Sequence, residues 1–103
     1  MLNMKVYRHG DVLIAPVDQV PADARPRQGL VLAYGEITGH AHRIETEGRA
    51  ELLENGPQLF LRVLGSPARV VHEEHLTIEL PLGNYRVWRQ REFDPRQDLT
   101  VMD

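Results

Sequence analysis

Four of the five histidines in this chain of 103 residues stand in two close pairs. One residue separates His40 from His42, and two residues separate His72 from His75. In a β-strand, side chains at positions i and i+2 project from the same face, so a strand here would direct the first two imidazoles to one point. A turn between His72 and His75 would bring the second two together. The pairs are therefore two candidate halves of one site.

Imidazole is the commonest metal ligand in proteins, and in its neutral form it suits zinc, iron and nickel. If the two stretches lie on adjacent strands, the paired histidines would bind a divalent transition metal such as zinc, nickel or iron. The alternative is that these side chains are solvated surface residues that bind nothing. His9, beside a Gly-Asp turn, is interpreted as a turn residue. Carboxylates also accompany the pairs, at Glu45, Glu47, Glu73 and Glu74.

The spacing around the first pair resembles a known motif. His40-Ala-His42 followed by four residues and Glu47 is similar to the first metal-binding motif of cupins, His-x-His-x(3,4)-Glu. Pro81-Leu-Gly83 resembles the Pro-x-Gly of the second cupin motif, although Arg86 stands where that motif has its histidine. The resemblance implies a small β-barrel with a divalent metal, and it implies that both histidines and the glutamate of the first motif are ligands.

Residues 85–93 predict a strand rich in cationic and aromatic side chains, with Arg86, Trp88, Arg89 and Arg91 as candidate partner-binding residues. A planar guanidinium suits phosphate or carboxylate, and an aromatic ring can stack on a base or a sugar. The strand is the basis of an alternative function, a non-catalytic adaptor or accessory subunit that binds a protein or a nucleic acid. A salt-bridged sheet surface, with Arg89 or Arg91 paired to a glutamate at position 36, 79 or 92, is the simpler interpretation.

The remaining segments favour strands over helices. Residues 12–17 and 58–64 have the apolar content and length of strands, and Asn55-Gly-Pro57 marks a turn between two of them. Residues 18–28, which contain two prolines, predict a surface loop. Residues 76–93 predict a hairpin that turns near Gly83. The pattern predicts an all-β fold, a small antiparallel β-barrel or sandwich with little helix.

Composition predicts one soluble domain over residues 1–103, with 42% apolar and 26% charged residues. No apolar run reaches the length of a membrane span or a signal peptide, so we expect a cytoplasmic protein without a membrane partner. The absence of cysteine excludes disulfides and thiolate metal sites. A formal net charge of −3 makes a protein partner or a homo-oligomer a better expectation than nucleic acid.

The sequence assigns no reaction. It contains no glycine-rich phosphate loop before a helix and no serine in a nucleophile elbow, and nothing selects a catalytic pair among its glutamates. Metal binding through the paired histidines is therefore the predicted function, and the adaptor is the alternative.

Overall fold

A computed structural model describes residues 5–35, 39–45 and 49–90. Within these ranges the chain forms ten β-strands and no helix, which confirms the predicted all-β class. The strands are β1 (Tyr7–His9), β2 (Val12–Val17), β3 (Arg25–Arg27), β4 (Val31–Tyr34), β5 (Ala41–Glu45), β6 (Arg49–Asn55), β7 (Gln58–Leu64), β8 (Ala68–Val71), β9 (Ile78–Leu80) and β10 (Gly83–Arg89). None of the described residues forms a helix that could span a bilayer.

The strands build two antiparallel sheets. One sheet has six strands in the order β1-β2-β10-β7-β6-β3, and the other has four in the order β4-β5-β8-β9. Neither order closes on itself, so the architecture is the sandwich rather than the barrel. Ile14 and Leu61 of the first sheet and Ile44, Val70 and Leu80 of the second bury their side chains in one shared core. Burial of each such side chain contributes about 1.5–3 kcal/mol, and this apolar layer joins the sheets.

Strand β7 shows how the alternating pattern is used. Leu61 and Val63 face the main core, whereas Phe60 packs on the opposite face of the sheet with Val20 and Leu53. The predicted turn before this strand is confirmed, since β6 and β7 pair up to Asn55 and Gln58 with Gly56 at φ 60° between them. Both faces of the six-stranded sheet therefore carry apolar clusters.

The prediction of a surface loop over residues 18–28 is wrong in part, because Arg25–Arg27 pairs with β6 as a short strand. This strand lies at the edge of its sheet. Pro26 has no amide hydrogen to donate, and an edge strand needs hydrogen bonds on one side only. The edge position explains why proline did not prevent the pairing.

The predicted hairpin over residues 76–93 is also wrong. Strand β9 pairs with β8 in one sheet, whereas β10 pairs with β2 and β7 in the other. The residues between them therefore cross from sheet to sheet. Alternation of apolar and polar residues identifies a strand but not the strand it pairs with. The sequence therefore suggested a hairpin, the simplest connection between two consecutive strands. Residues 91–93 of the predicted second strand lie outside the described ranges.

Three connections converge at one end of the sandwich. They are the turn between β1 and β2, the residues that lead into β5, and the loop between β8 and β9. His9 directly precedes the first, His40 and His42 lie at the second, and His72 and His75 lie in the third, so the sheets fix where these side chains meet.

Candidate metal centre

All five histidine rings gather in one cluster. The ring centroid of His72 lies 4.4 Å from that of His42, 4.6 Å from that of His75 and 5.7 Å from that of His40. The ring of His9 lies 5.0 Å from that of His42. The structure thus brings together the two predicted pairs, and it adds a fifth imidazole that the sequence placed in a turn.

Ligand atoms of His42, His72 and His75 all lie within 4.8 Å of one another. His42 lies on β5, whereas His72 and His75 lie in the loop between β8 and β9, so the group depends on the pairing of β5 with β8. His42 is 2% exposed, His72 is half-buried and His75 faces the solvent. Three nitrogens at this separation can surround one metal ion after small side-chain adjustments, because metal–nitrogen bonds are about 2.0–2.1 Å long.

Gly10 makes room for this group. It lies in the turn between β1 and β2 with φ at 61°. A β-carbon at this position would lie 2.8 Å from Nε2 of His75 and 2.9 Å from Cε1 of His42. The turn therefore requires glycine twice, for its backbone conformation and for the approach of two imidazoles.

His9 fixes the protonation of His42. Nε2 of His9 lies 2.9 Å from the carbonyl oxygen of Leu76, which can only accept, so this nitrogen carries a hydrogen. In neutral His9 the other nitrogen, Nδ1, is then an acceptor, and it lies 2.8 Å from Nδ1 of His42. His42 must donate there, which leaves the lone pair of its Nε2 directed away from His9. This is the tautomer in which histidine binds metals while its other nitrogen is hydrogen-bonded.

The pKa values agree with neutral imidazoles. Burial, together with the neighbouring histidines, lowers the pKa of His42 from 6.5 to about 4, against the opposing effect of Asp11. Burial also lowers the pKa of His9, while the hydrogen bond to Leu76 acts in the opposite direction. The pKa of His72 is lowered by desolvation and by His75. These three rings are therefore uncharged at neutral pH, as metal ligands must be.

Asp11 faces the lone pair of His42. Its Oδ1 lies 3.5 Å from Nε2 of His42, and its Oδ2 accepts hydrogen bonds from Nε and Nη2 of Arg89 at 3.1 Å and 2.8 Å. Burial raises the pKa of Asp11, but the bonds to Arg89 outweigh this and hold it below its ordinary value. A carboxylate and an imidazole lone pair thus point at each other without a hydrogen between them. A cation or a donating water at this point removes the repulsion.

His72 is less prepared for a metal than His42. The backbone amide of Glu74 donates to Nδ1 of His72 at 2.9 Å, so neutral His72 carries its hydrogen on Nε2. A metal on Nδ1 would take the lone pair that the amide uses, and a metal on Nε2 would move the hydrogen to Nδ1. In both cases the amide must release the ring, at a cost of about 1 kcal/mol.

A second group, His40, His72 and Glu73, also has ligand atoms within 4.8 Å of one another. Glu73, however, is already bound, because its Oε1 accepts from the amide of Ala41 at 2.9 Å and its Oε2 from Arg43 at 2.7 Å. The backbone amides of Ala41 and of Glu73 itself, followed by Arg43, lower the pKa of Glu73 to about 2. Glu73 therefore ties β5 to the loop before β9.

His40 packs against the ring of His72, and its Nδ1 lies 2.8 Å from Oε1 of Glu74. The described part of the structure thus leaves His42, His72 and His75 as the best ligand set, and His40 beside them. Glu47, the ligand implied by the resemblance to cupins, lies outside the described residues.

The histidines open onto a cleft of about 500 Å³. Its lining residues outside the ligand set are Arg8, Gly10, Asp11, Gly35, His40, Glu74 and Arg89. This volume lies in the usual range for small-molecule sites. The ligand group is therefore accessible from solvent.

The predicted partner-binding strand has a different environment. Strand β10 lies between β2 and β7, so its backbone is already paired on both sides. Arg86 lies over the ring of Trp88 at 5.3 Å, and its buried Nε has no hydrogen-bond partner among the described residues. Arg89 pairs with Asp11 at 2.8 Å, and the glutamates at positions 36 and 92 lie outside the described residues. Arg91 lies outside the described residues, and partner binding by this strand stays a prediction.

Sequence reasoning missed His9, Gly10 and Asp11 as parts of the site. The signal was present, because a fifth histidine directly precedes a turn in a chain whose other histidines are paired. The sequence did not show that β1 pairs with β2, and this pairing directs the turn toward β5.

One family model matches residues 8–90 of the chain, and its description is a domain of unknown function, DUF8820. The chain belongs to this family. The matched range contains all five histidines together with Asp11 and Arg89. No curated protein and no solved structure matches the chain. The resemblance to cupins therefore stays a prediction.

Proposed function

We propose that this member of the DUF8820 family binds one divalent transition metal through His42, His72 and His75. One ligand lies on β5 and two lie in the loop between β8 and β9. His9 acts on the metal through His42, which it orients. No reaction is assigned.

One observation carries the proposal, the chain of hydrogen bonds from the carbonyl of Leu76 through His9 to His42. A buried histidine in an ordinary core would use both nitrogens for hydrogen bonds. In this protein the hydrogen bonds involve only Nδ1 of His42, and the lone pair of its Nε2 faces other imidazoles and Asp11. Without a metal, the Nε2 lone pair and the carboxylate of Asp11 repel each other. A bound cation removes this repulsion, which favours metal binding.

The donor set also selects the kind of metal. Three imidazoles and no thiolate favour zinc, nickel or iron over magnesium and calcium, which prefer oxygen ligands. Zinc suits three histidines and a fourth, open position. We therefore expect zinc to bind well and magnesium not to bind measurably.

The test is a titration of the chelator-treated protein with zinc in competition with a coloured chelator. We expect one zinc ion per chain. The variants H42Q, H72Q and H75Q should each lose at least about tenfold in affinity, because each removes one of three ligands. The matched control is H40Q, which removes an imidazole from the same cleft and should keep most of the affinity.

Two results would contradict the proposal. One is a wild-type protein that does not compete with the chelator for zinc. The other is an H42Q variant that binds zinc as tightly as the wild type while remaining folded by circular dichroism.

A further inference from the structure

We infer that the metal of this cleft takes an anionic oxygen ligand, from a small carboxylate or a phosphate, at its open position beside Arg89. The inference rests on the proposed metal site and names the class of molecule that this site binds.

The protein ligands do not neutralise the metal. His42, His72 and His75 are neutral when they bind, so a divalent ion keeps both of its positive charges. Asp11 is not among the residues whose ligand atoms lie within 4.8 Å of one another. The three-histidine group therefore contributes no anionic ligand, and Asp11, whose Oδ1 lies 3.5 Å from Nε2 of His42, can offset at most one of the two charges.

The walls of the cleft do not neutralise the metal either. They contain two arginines, Arg8 and Arg89, and two carboxylates, Asp11 and Glu74. The charges of these four side chains cancel, and Asp11 and Glu74 are engaged with Arg89 and His40. Once a metal is bound, the cleft carries the full charge of the ion. This positive charge attracts a small anion into the cleft, and the attraction is stronger because the cleft is partly desolvated.

Arg89 lies where it can donate hydrogen bonds to such an anion and orient it. Its Nε and Nη2 each donate to Oδ2 of Asp11, which fixes the plane of the guanidinium at the wall of the cleft. A guanidinium has five N–H groups, so this pair uses only part of its capacity. The other N–H groups suit a carboxylate or a phosphate, whose planar or tetrahedral oxygens can bridge arginine and metal.

The cleft also has the necessary room. A volume of about 500 Å³ holds a ligand much larger than a water molecule. Gly10 and Gly35 contribute to this space, since a β-carbon on Gly35 would lie 3.3 Å from Nε2 of His72. A closed structural zinc site would have a fourth protein ligand in place of this opening.

The test uses the full chain loaded with cobalt(II), whose visible absorption reports its coordination. Acetate and inorganic phosphate are added in separate titrations, with acetamide as the uncharged analogue of acetate. We expect a saturable spectral change with acetate, with phosphate or with both, and none with acetamide at the same concentration. The arm with the lower dissociation constant identifies the carboxylate or the phosphate as the preferred group.

The variant R89Q should weaken the binding of the preferred anion by about tenfold, because it removes charged hydrogen bonds. The variant R89K, which keeps the charge, should recover part of the loss. The matched control is R62Q, since Arg62 pairs with Glu51 at 2.7 Å on β6 and β7 and does not line the cleft. Cobalt affinity is measured for each variant, so that an effect on the metal is separated from an effect on the anion.

Cobalt that binds with no spectral response to either anion would overturn this inference and leave the metal site intact. An equal response to acetamide would overturn it as well, and so would an R89Q variant with unchanged anion affinity. A protein that does not bind cobalt would instead refute the proposed function itself.

Discussion

Replacement of His9 by phenylalanine tests whether this residue prepares His42 for a metal. The change keeps an aromatic ring in a position that is 2% exposed, but it removes the acceptor for Nδ1–H of His42 and the donor to Leu76. His42 then gains by moving its hydrogen to Nε2, where Oδ1 of Asp11 lies 3.5 Å away. The nitrogen that should bind the metal would carry a hydrogen instead.

The size of the effect follows from this exchange. A buried N–H without an acceptor costs about 1–3 kcal/mol, and the shift of the hydrogen to Nε2 avoids that cost only as long as no metal is bound. Metal binding must then restore the unfavourable tautomer. We expect H9F to weaken zinc binding by about 10–100-fold, which is the usual effect of removing a group that orients a metal-binding histidine.

The assay is competition with a coloured chelator, with urea denaturation of the metal-free protein in parallel. The matched variant is H9N, whose side-chain oxygen can accept from Nδ1 of His42 and should recover part of the affinity. Zinc affinity of H9F within twofold of the wild type would refute the reasoning, because His9 would then have no influence on His42.

G10A should lower stability by about 1–2 kcal/mol and weaken zinc binding, because its β-carbon would press on His75 and His42 where φ is 61°; urea denaturation and chelator competition measure both effects, and a neutral change would mean that the turn adjusts freely. G83V should lower the free energy of unfolding by at least about 1 kcal/mol, since φ at Gly83 is 149°, and an unchanged urea midpoint would contradict this. The pKa of His42 is near 6.5 in the unfolded chain and about 4 in the folded protein, so neutral His42 stabilises the fold fully above pH 6.5. This stabilisation is lost as the pH falls to 4 and lowers the free energy of unfolding by about 3 kcal/mol. Urea denaturation between pH 7 and pH 4 should show a smaller loss for H42Q, and an equal loss would show that His42 is not the group responsible. Zinc should release the Glu74 amide from His72, so its resonance should shift on zinc addition, and an unmoved resonance would exclude His72 as a ligand.

Much of the fold was predictable because strand signals are local. The alternation in residues 58–64 predicted β7 with the observed boundaries, and Asn55-Gly-Pro57 predicted the turn that joins it to the preceding strand. The arrangement of strands in sheets was not predictable in the same way. Residues 76–93 read as one hairpin, yet their two strands belong to different sheets, since pairing depends on packing across the core.

The site was predictable only in outline. The spacing of His40 and His42 and of His72 and His75 correctly predicted that the pairs meet, because both flank strands of one sheet. The different roles of His40 and His42 were not predictable. Spacing of i and i+2 does not indicate that His42 is buried or that His40 contacts Glu74. The partner of Arg89 was missed for the same reason, since Asp11 is 78 positions away in the chain.

X-ray absorption spectroscopy at the zinc edge of the protein loaded with one equivalent of zinc tests the central claim most directly. We predict a first shell of nitrogen and oxygen atoms at about 2.0–2.1 Å, with the outer-shell scattering of three imidazoles. The H42Q variant should lose one imidazole from this pattern, whereas H40Q should keep all three. A first shell of oxygen without imidazole scattering, or a spectrum that H42Q leaves unchanged, would contradict the assignment of His42, His72 and His75 as the metal ligands.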